Sequence, residues 1–190
     1  IIDFSTRFKY QTAFYQLTLL AVLVGSGRAA VRDIAEEVRT RTRIFSTGNA
    51  SSASADAQVQ QVVGKASAQV YAAEAAAIRA AHASQRAYVT RYGKDEQAER
   101  DANIAAELES AQAQVAIAEL VLRATSDLFN ALGASATSTT KQLDRHWRNA
   151  RTTASHNPLI YKERIIGDWE INGTEPPYVW QIGGGSKQTA

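Results

Sequence analysis

From Ile104 to Leu132 the chain reads IAAELESAQAQVAIAELVLRATSDLFNAL. Ile104, Leu108, Ala111, Val115, Ala118, Leu122, Thr125, Phe129 and Leu132 follow one another in it at alternating steps of four and three residues. That spacing brings each of these side chains back to one face of an α-helix, and no proline interrupts it. Two earlier segments carry the same signature. One is Leu17, Leu20, Val24, Gly27, Val31, Ile34 and Val38, and the other is Val59, Val63, Ala66, Val70, Ala73, Ala77 and Ala80. A helix of about 35 residues is ~50 Å long. Long helices with short connections pack side by side in alternating directions. The sequence therefore predicts an all-α fold, an antiparallel four-helix bundle of long helices. The second seam is mostly alanine and valine, which lets helix axes approach closely while Leu, Ile and Phe fill in from across.

The punctuation between the segments agrees with this division. Ser46 to Ser54 is a small, polar stretch that reads as a loop, and Tyr92-Gly93-Lys94-Asp95 offers a glycine stop followed by an aspartate start. Gly133 to Ser138 is again small and polar. Thr139 and Gln142 have capping-box spacing, so a shorter fourth helix is expected to begin there. Beyond His156, Pro158, Gly167, Gly173, Pro176 and Pro177 argue against a long helix. The expected division is a helical bundle over 1–156 and an irregular tail over 157–190. The tail aromatics Tyr161, Trp169, Tyr178 and Trp180 are expected to dock on a surface, with disorder beyond Gly183.

Composition narrows the function classes. The 190 residues suit one domain. With no cysteine there are no disulfides or thiolate metal sites, and three scattered histidines do not make a metal site. A net charge of +2, with acids and bases interspersed, argues against nucleic acid as a partner. The most apolar window, Leu17 to Val24, reads as too short to span a bilayer, so a soluble cytoplasmic protein with no membrane partner is expected. The chain has no methionine and opens with Ile1-Ile2-Asp3, which predicts a piece of a longer protein.

Chemistry-capable side chains concentrate in Leu143-Asp144-Arg145-His146-Trp147-Arg148-Asn149-Ala150-Arg151 and in His156-Asn157-Pro158. Arg148 and Arg151 stand three apart on one helix face, which suits phosphate recognition and equally an ion pair with Asp144. His156 is able to move a proton near neutral pH, or to cap the helix before Pro158. Arg39, Arg41 and Arg43 suit either the negative end of the first helix or a phosphate. Gly133 permits a close backbone approach or simply stops a helix. His82 and His146 read as surface or packing residues, and Tyr71, Tyr88 and Tyr92 as packing at the bundle edge.

Helix order, helix lengths and several motifs resemble the C-terminal helical domain of the acyl-CoA dehydrogenase superfamily, from Phe14 to about Pro158. The family's Arg-x-x-Phe-Gly is matched by Thr42-Arg43-Ile44-Phe45-Ser46. Phe45 is in register, while Thr42 replaces the arginine, leaving the phosphate role open between Arg41 and Arg43. The family's Gln-x-x-Gly-Gly turn and later Arg-Asp-Ala are matched by Asn130-Ala131-Leu132-Gly133-Ala134 and Arg148-Asn149-Ala150. In that register the dehydrogenases' catalytic glutamate falls on Asn157. A neutral amide cannot abstract a proton, whereas the adjacent imidazole of His156 can.

The departure points to a sister branch. Leu143 to Thr152, Ser155-His156-Asn157-Pro158, Tyr161-Lys162, Ile166-Gly167-Asp168 and Asn172-Gly173 resemble the flavoenzymes of the dibenzothiophene monooxygenase type. The resemblance implies a two-component monooxygenase that receives reduced FMN from a separate flavin reductase. It would add oxygen from O2 to a small organic, organosulfur or aromatic substrate through a flavin C4a-hydroperoxide. His156 is the implied catalytic residue. Arg41, Arg43, Phe45, Asn130, Gly133, Arg148, Asn149 and Arg151 are the implied cofactor-binding residues, although Asn149 suits a backbone contact as well. No metal is implied. The resemblance further implies a homotetramer with each flavin contacted by two subunits. A flavin-covering N-terminal region is expected outside this chain, which alone should neither hold flavin tightly nor turn over. The alternatives are an acyl-CoA dehydrogenase using FAD and another base, and a non-catalytic helical oligomerisation domain.

Overall fold

The computed structural model describes residues 8–179. Among them are five α-helices: α1 (Gln11–Thr40), α2 (Ala57–Thr90), α3 (Glu96–Asp127), α4 (Arg145–Ala154) and α5 (Leu159–Asn172). The three long periodic segments are thus the three long helices. Ala13, Ala87 and Ala106 cluster at one end, and Ile34, Ala66 and Leu128 at the other. Hence α2 runs opposite to α1 and α3. Midway, Gly27 of α1 meets α2 and α3: a Cβ there would stand 2.9 Å from Val70 Cγ2 and 3.4 Å from Val121 Cγ1. Glycine and alanine at such crossings bring the helices together, and Leu20, Leu23, Ile34, Ile117, Val121 and Leu128 fill the space between them.

Helix α3 packs against α1, α2, α4 and α5 and is the central helix. Beside its apolar seam it carries a second buried stripe of Asn103, Glu107, Ser110 and Gln114. Its start is capped by Asp95, whose side chain accepts from Ala98 N at 3.0 Å, as the aspartate start requires. Asp56 does the same for α2, accepting from Gln58 N at 2.8 Å, and it also accepts from Asn49 N at 3.0 Å. One carboxylate thus starts α2 and ties back the loop between α1 and α2.

Several expectations are corrected. The fourth helix does not begin at Thr139. Lys141 N and Gln142 N both bond to Ser138 O, and Gln142 has φ 48°, so the chain turns there and α4 starts at Arg145. The segment from 157 is not an irregular tail. Its residues 159–172 form α5, because Pro158 stands just before the helix, where its missing N–H costs nothing, and Gly173 ends it at φ 69°. Gln114 of α3 meets Asn157, and Ile104 and Leu108 meet Ile165, so α4 and α5 together form one column broken at Ser155–Pro158. Trp169 and Tyr178 dock on that column's contact with α3, while Tyr161 is exposed. Trp180 and the stretch beyond Gly183 lie outside the described residues. By length and composition α1 is apolar enough to cross a membrane, which its short window Leu17 to Val24 did not suggest; in the bundle it buries Leu20, Leu23, Val24, Ile34 and Val38.

Candidate functional site

The implied site residues fall into three places: the end of α1, the length of α4, and the break that holds His156 near the other end of the bundle. The first gathers where α1 ends. Arg41 donates through Nη1 to the Leu132 carbonyl and through Nε to the Arg43 carbonyl, the latter at 3.0 Å. The guanidiniums of Arg41 and Arg43 lie 5.6 and 5.7 Å from the centre of the Phe45 ring. A Cβ on Gly133, whose φ is 73°, would stand 3.9 Å from Phe45 Cζ. The loop therefore brings Arg41, Arg43 and Phe45 against Gly133 of a motif far away in the chain. Arg41 is committed to two carbonyls, whereas the Arg43 guanidinium has no hydrogen bond or ion pair among the described residues. Lys141 lines the neighbouring cavity of about 280 Å³ together with Arg41 and Arg43 and pairs with Glu37. Asn130 is exposed next to this cluster.

The second group lies along α4. Arg145 and His146 both reach Asp33 of α1, His146 Nε2 at 3.0 Å from Oδ2. Burial, then the Arg145 charge, holds the imidazole below its ordinary pKa, against the pull of Asp33. Neutral at pH 7, it serves the carboxylate only as the Nε2–H tautomer. Burial works to raise Asp33, but hydrogen bonds from Arg32 and His146 outweigh it and hold the carboxyl below its usual range. His146 is thus the packing residue expected, with a specific partner added. Arg148 Nε pairs with Asp144 Oδ2 at 3.1 Å, the ion pair that its spacing also allowed. Asn149 and Arg151 are exposed.

His156 stands in the break between α4 and α5. It is exposed, and its ring makes no hydrogen bond among the described residues. Its neighbour Asn157 is anchored: Gln114 Nε2 donates to the Asn157 carbonyl at 2.6 Å, and Asn157 Nδ2 donates to Gln16 Oε1 at 2.6 Å. Gln16 and Arg41 lie near opposite ends of α1, about 37 Å apart along its axis. Within one copy the imidazole and the arginine–phenylalanine cluster are therefore too far apart to touch one flavin.

Sequence reasoning missed the buried polar seam beneath the break. Glu107 Oε1 accepts from Ala13 N at 2.9 Å, giving α1 the cap that Tyr10 does not provide. Burial pushes the Glu107 carboxyl up to about 7, against the Lys162 charge and the Ala13 N–H. Burial likewise lowers Lys162, against the Glu107 charge. The signal was present as Asn103, Glu107, Ser110 and Gln114, polar residues at helical spacing on one face.

Three long helices and a broken fourth column, with an imidazole at the break and an arginine–aromatic–glycine cluster at the far end, define a helical domain of the acyl-CoA dehydrogenase kind. The family model for the acyl-CoA dehydrogenase C-terminal domain matches residues 17–159, and the chain belongs to that family. Dibenzothiophene monooxygenase of Mycolicibacterium goodii is 29% identical over 161 residues, covering 85% of this chain and 38% of its own length. The crystal structure of FMN-bound TdsC from Paenibacillus sp. A11-2 superposes with a TM-score of 0.75 at 28% identity, over 90% of this chain and 42% of that one. Methanesulfinate monooxygenase MsuC from Pseudomonas fluorescens gives 0.74 at 28% identity, over 86% and 41%. The chain thus spans about two-fifths of the length of these relatives.

Proposed function

We propose that this chain is the helical C-terminal part of a two-component, FMNH2-dependent monooxygenase acting on a small organosulfur or aromatic compound. The observation that carries the reading is the break at Ser155–Pro158. There an imidazole and an anchored carboxamide occupy the register in which the dehydrogenases keep a carboxylate. Without an acid at that place the dehydrogenase's proton abstraction has no base of the ordinary kind. The relatives named above, two of them called monooxygenases, support the same branch.

The donor set fits a flavin mononucleotide. Arg43 offers an uncommitted guanidinium to a phosphate, Phe45 an exposed ring, and Gly133 a backbone that no Cβ shields. Bound reduced flavin would supply the activation of O2. His156 would exchange a proton with the reacting oxygen or the substrate, and Arg41 would hold the loop that presents Arg43. Because His156 and the arginine–phenylalanine cluster lie near opposite ends of α1, the reading includes a homotetramer in which the cluster of one copy serves the His156 of another. It also includes a flavin reductase as donor and a cytoplasmic setting.

The test is turnover of a protein carrying this chain together with the region its relatives have besides it. Supplied with FMN, a reductase and 18O2, it should place one labelled oxygen in a sulfide or indole substrate, and His156→Asn should lose at least tenfold in kcat. Flavin reduction by an acyl-CoA, with no label incorporated, would establish the dehydrogenase instead.

A further inference from the structure

The break is held from beneath by two carboxamides for which the proposed chemistry has no use. Gln114 is 1% exposed and Gln16 2%. One takes the backbone carbonyl of Asn157 and the other its side-chain amide. His156 has no comparable tether of its own; its backbone N–H reaches only Thr153 O, at 3.3 Å.

The arrangement carries a cost. Gln114 Oε1 is buried without a hydrogen-bond partner among the described residues. An orphaned buried acceptor loses as much as one hydrogen bond returns, or more. A methionine of similar volume would avoid that loss. Packing therefore gives no reason for a glutamine at 114. What only the carboxamide supplies is the N–H to the carbonyl next to His156.

We propose that Gln114, seconded by Gln16, is a positioning residue for His156: the pair locks Asn157 from both sides and so fixes where the neighbouring imidazole stands. This rests on the reading of His156 as the reacting imidazole. The two carboxamides come from α3 and α1, so the break is set against the core of the bundle.

The test is Gln114→Met, followed by thermal melting and by ring 1H–15N correlations of the three histidines, with His156 assigned through His156→Asn. The melting temperature should stay within about 3 °C, while the His156 ring signals shift or broaden and those of His82 do not move. In the flavin-supplied protein, kcat should fall about ten- to hundredfold with KM for the substrate nearly unchanged. Gln16→Met reads the same lock from α1, should the first variant fail to fold. A His156 ring unmoved in the folded variants overturns the proposal, as does unfolding of both, which would make the carboxamides part of the fold alone. If His156→Asn turns over normally while Gln114→Met still moves the ring, the function assigned to His156 fails and the lock stands.

Discussion

Glu107 concentrates the physics of single residues here. Its carboxyl lies at about 7 in the folded chain, against 4.5 unperturbed. Between those values the folded state holds a proton that the unfolded state has released. Stability from this group is therefore full below pH 4.5 and falls as pH rises towards 7. The expected result is a melting temperature that drops from pH 5 to pH 7 in the wild type, with a shallower drop in Glu107→Gln, followed by calorimetry. An equal slope in both would remove Glu107 from the account. Gly27 is the opposite kind of residue, valued for what it lacks. An isopropyl group at the crossing with Val70 and Val121 has no room, so Gly27→Val should cost about 1–3 kcal/mol in urea unfolding.

At the scale of elements, the chain's periodicity was enough for α1, α2 and α3. A heptad of apolar positions needs no partner to be read, because its period is a property of the helix itself. The broken column was harder. Pro158, Gly167 and Gly173 were weighed as breakers, yet Pro158 precedes the first turn of α5 and Gly173 lies past its last, where each is favoured. Composition counts such residues, whereas position decides what they do. Because α5 packs on α3 through Ile165, Ile104 and Leu108, Ile165→Ala should lose ~2 kcal/mol, measured by chemical denaturation. An irregular tail would show no loss. In the loop after α1, Arg43→Ala should weaken FMN binding severalfold in the flavin-supplied protein without lowering stability. Arg41→Ala should lower stability first, because its guanidinium holds the Leu132 and Arg43 carbonyls.

On the scale of the whole molecule, the separation of His156 from the Arg43–Phe45 cluster is the decisive fact. No rearrangement of side chains closes about 37 Å along one rigid helix. If the proposed flavin is shared between copies, two defective variants should complement each other. His156→Asn, slowed at least tenfold, and Arg43→Ala, assayed at limiting FMN where its severalfold weaker binding tells, should together recover turnover above the mean of the two when co-expressed, since some composite sites then carry both native groups. Absence of recovery, with mixed oligomers demonstrated by mass spectrometry, would remove one of the two groups from the flavin site.

The sequence by itself determined the three long helices, their order and the family, because helical period and short motifs are local properties that survive without coordinates. It also singled out His156, and brought forward Arg41, Arg43 and Phe45 in one short stretch and Gly133 in another, while their meeting is tertiary. Only the tertiary structure decided which polar residues matter beneath them. Gln16, Gln114, Glu107 and Asp33 look unremarkable along the chain, and they acquire roles because helices distant in sequence place them against Asn157, Ala13 and His146. A hydrogen bond depends on a few ångströms in space, and residues separated by 43 to 141 positions are brought within that range only by packing.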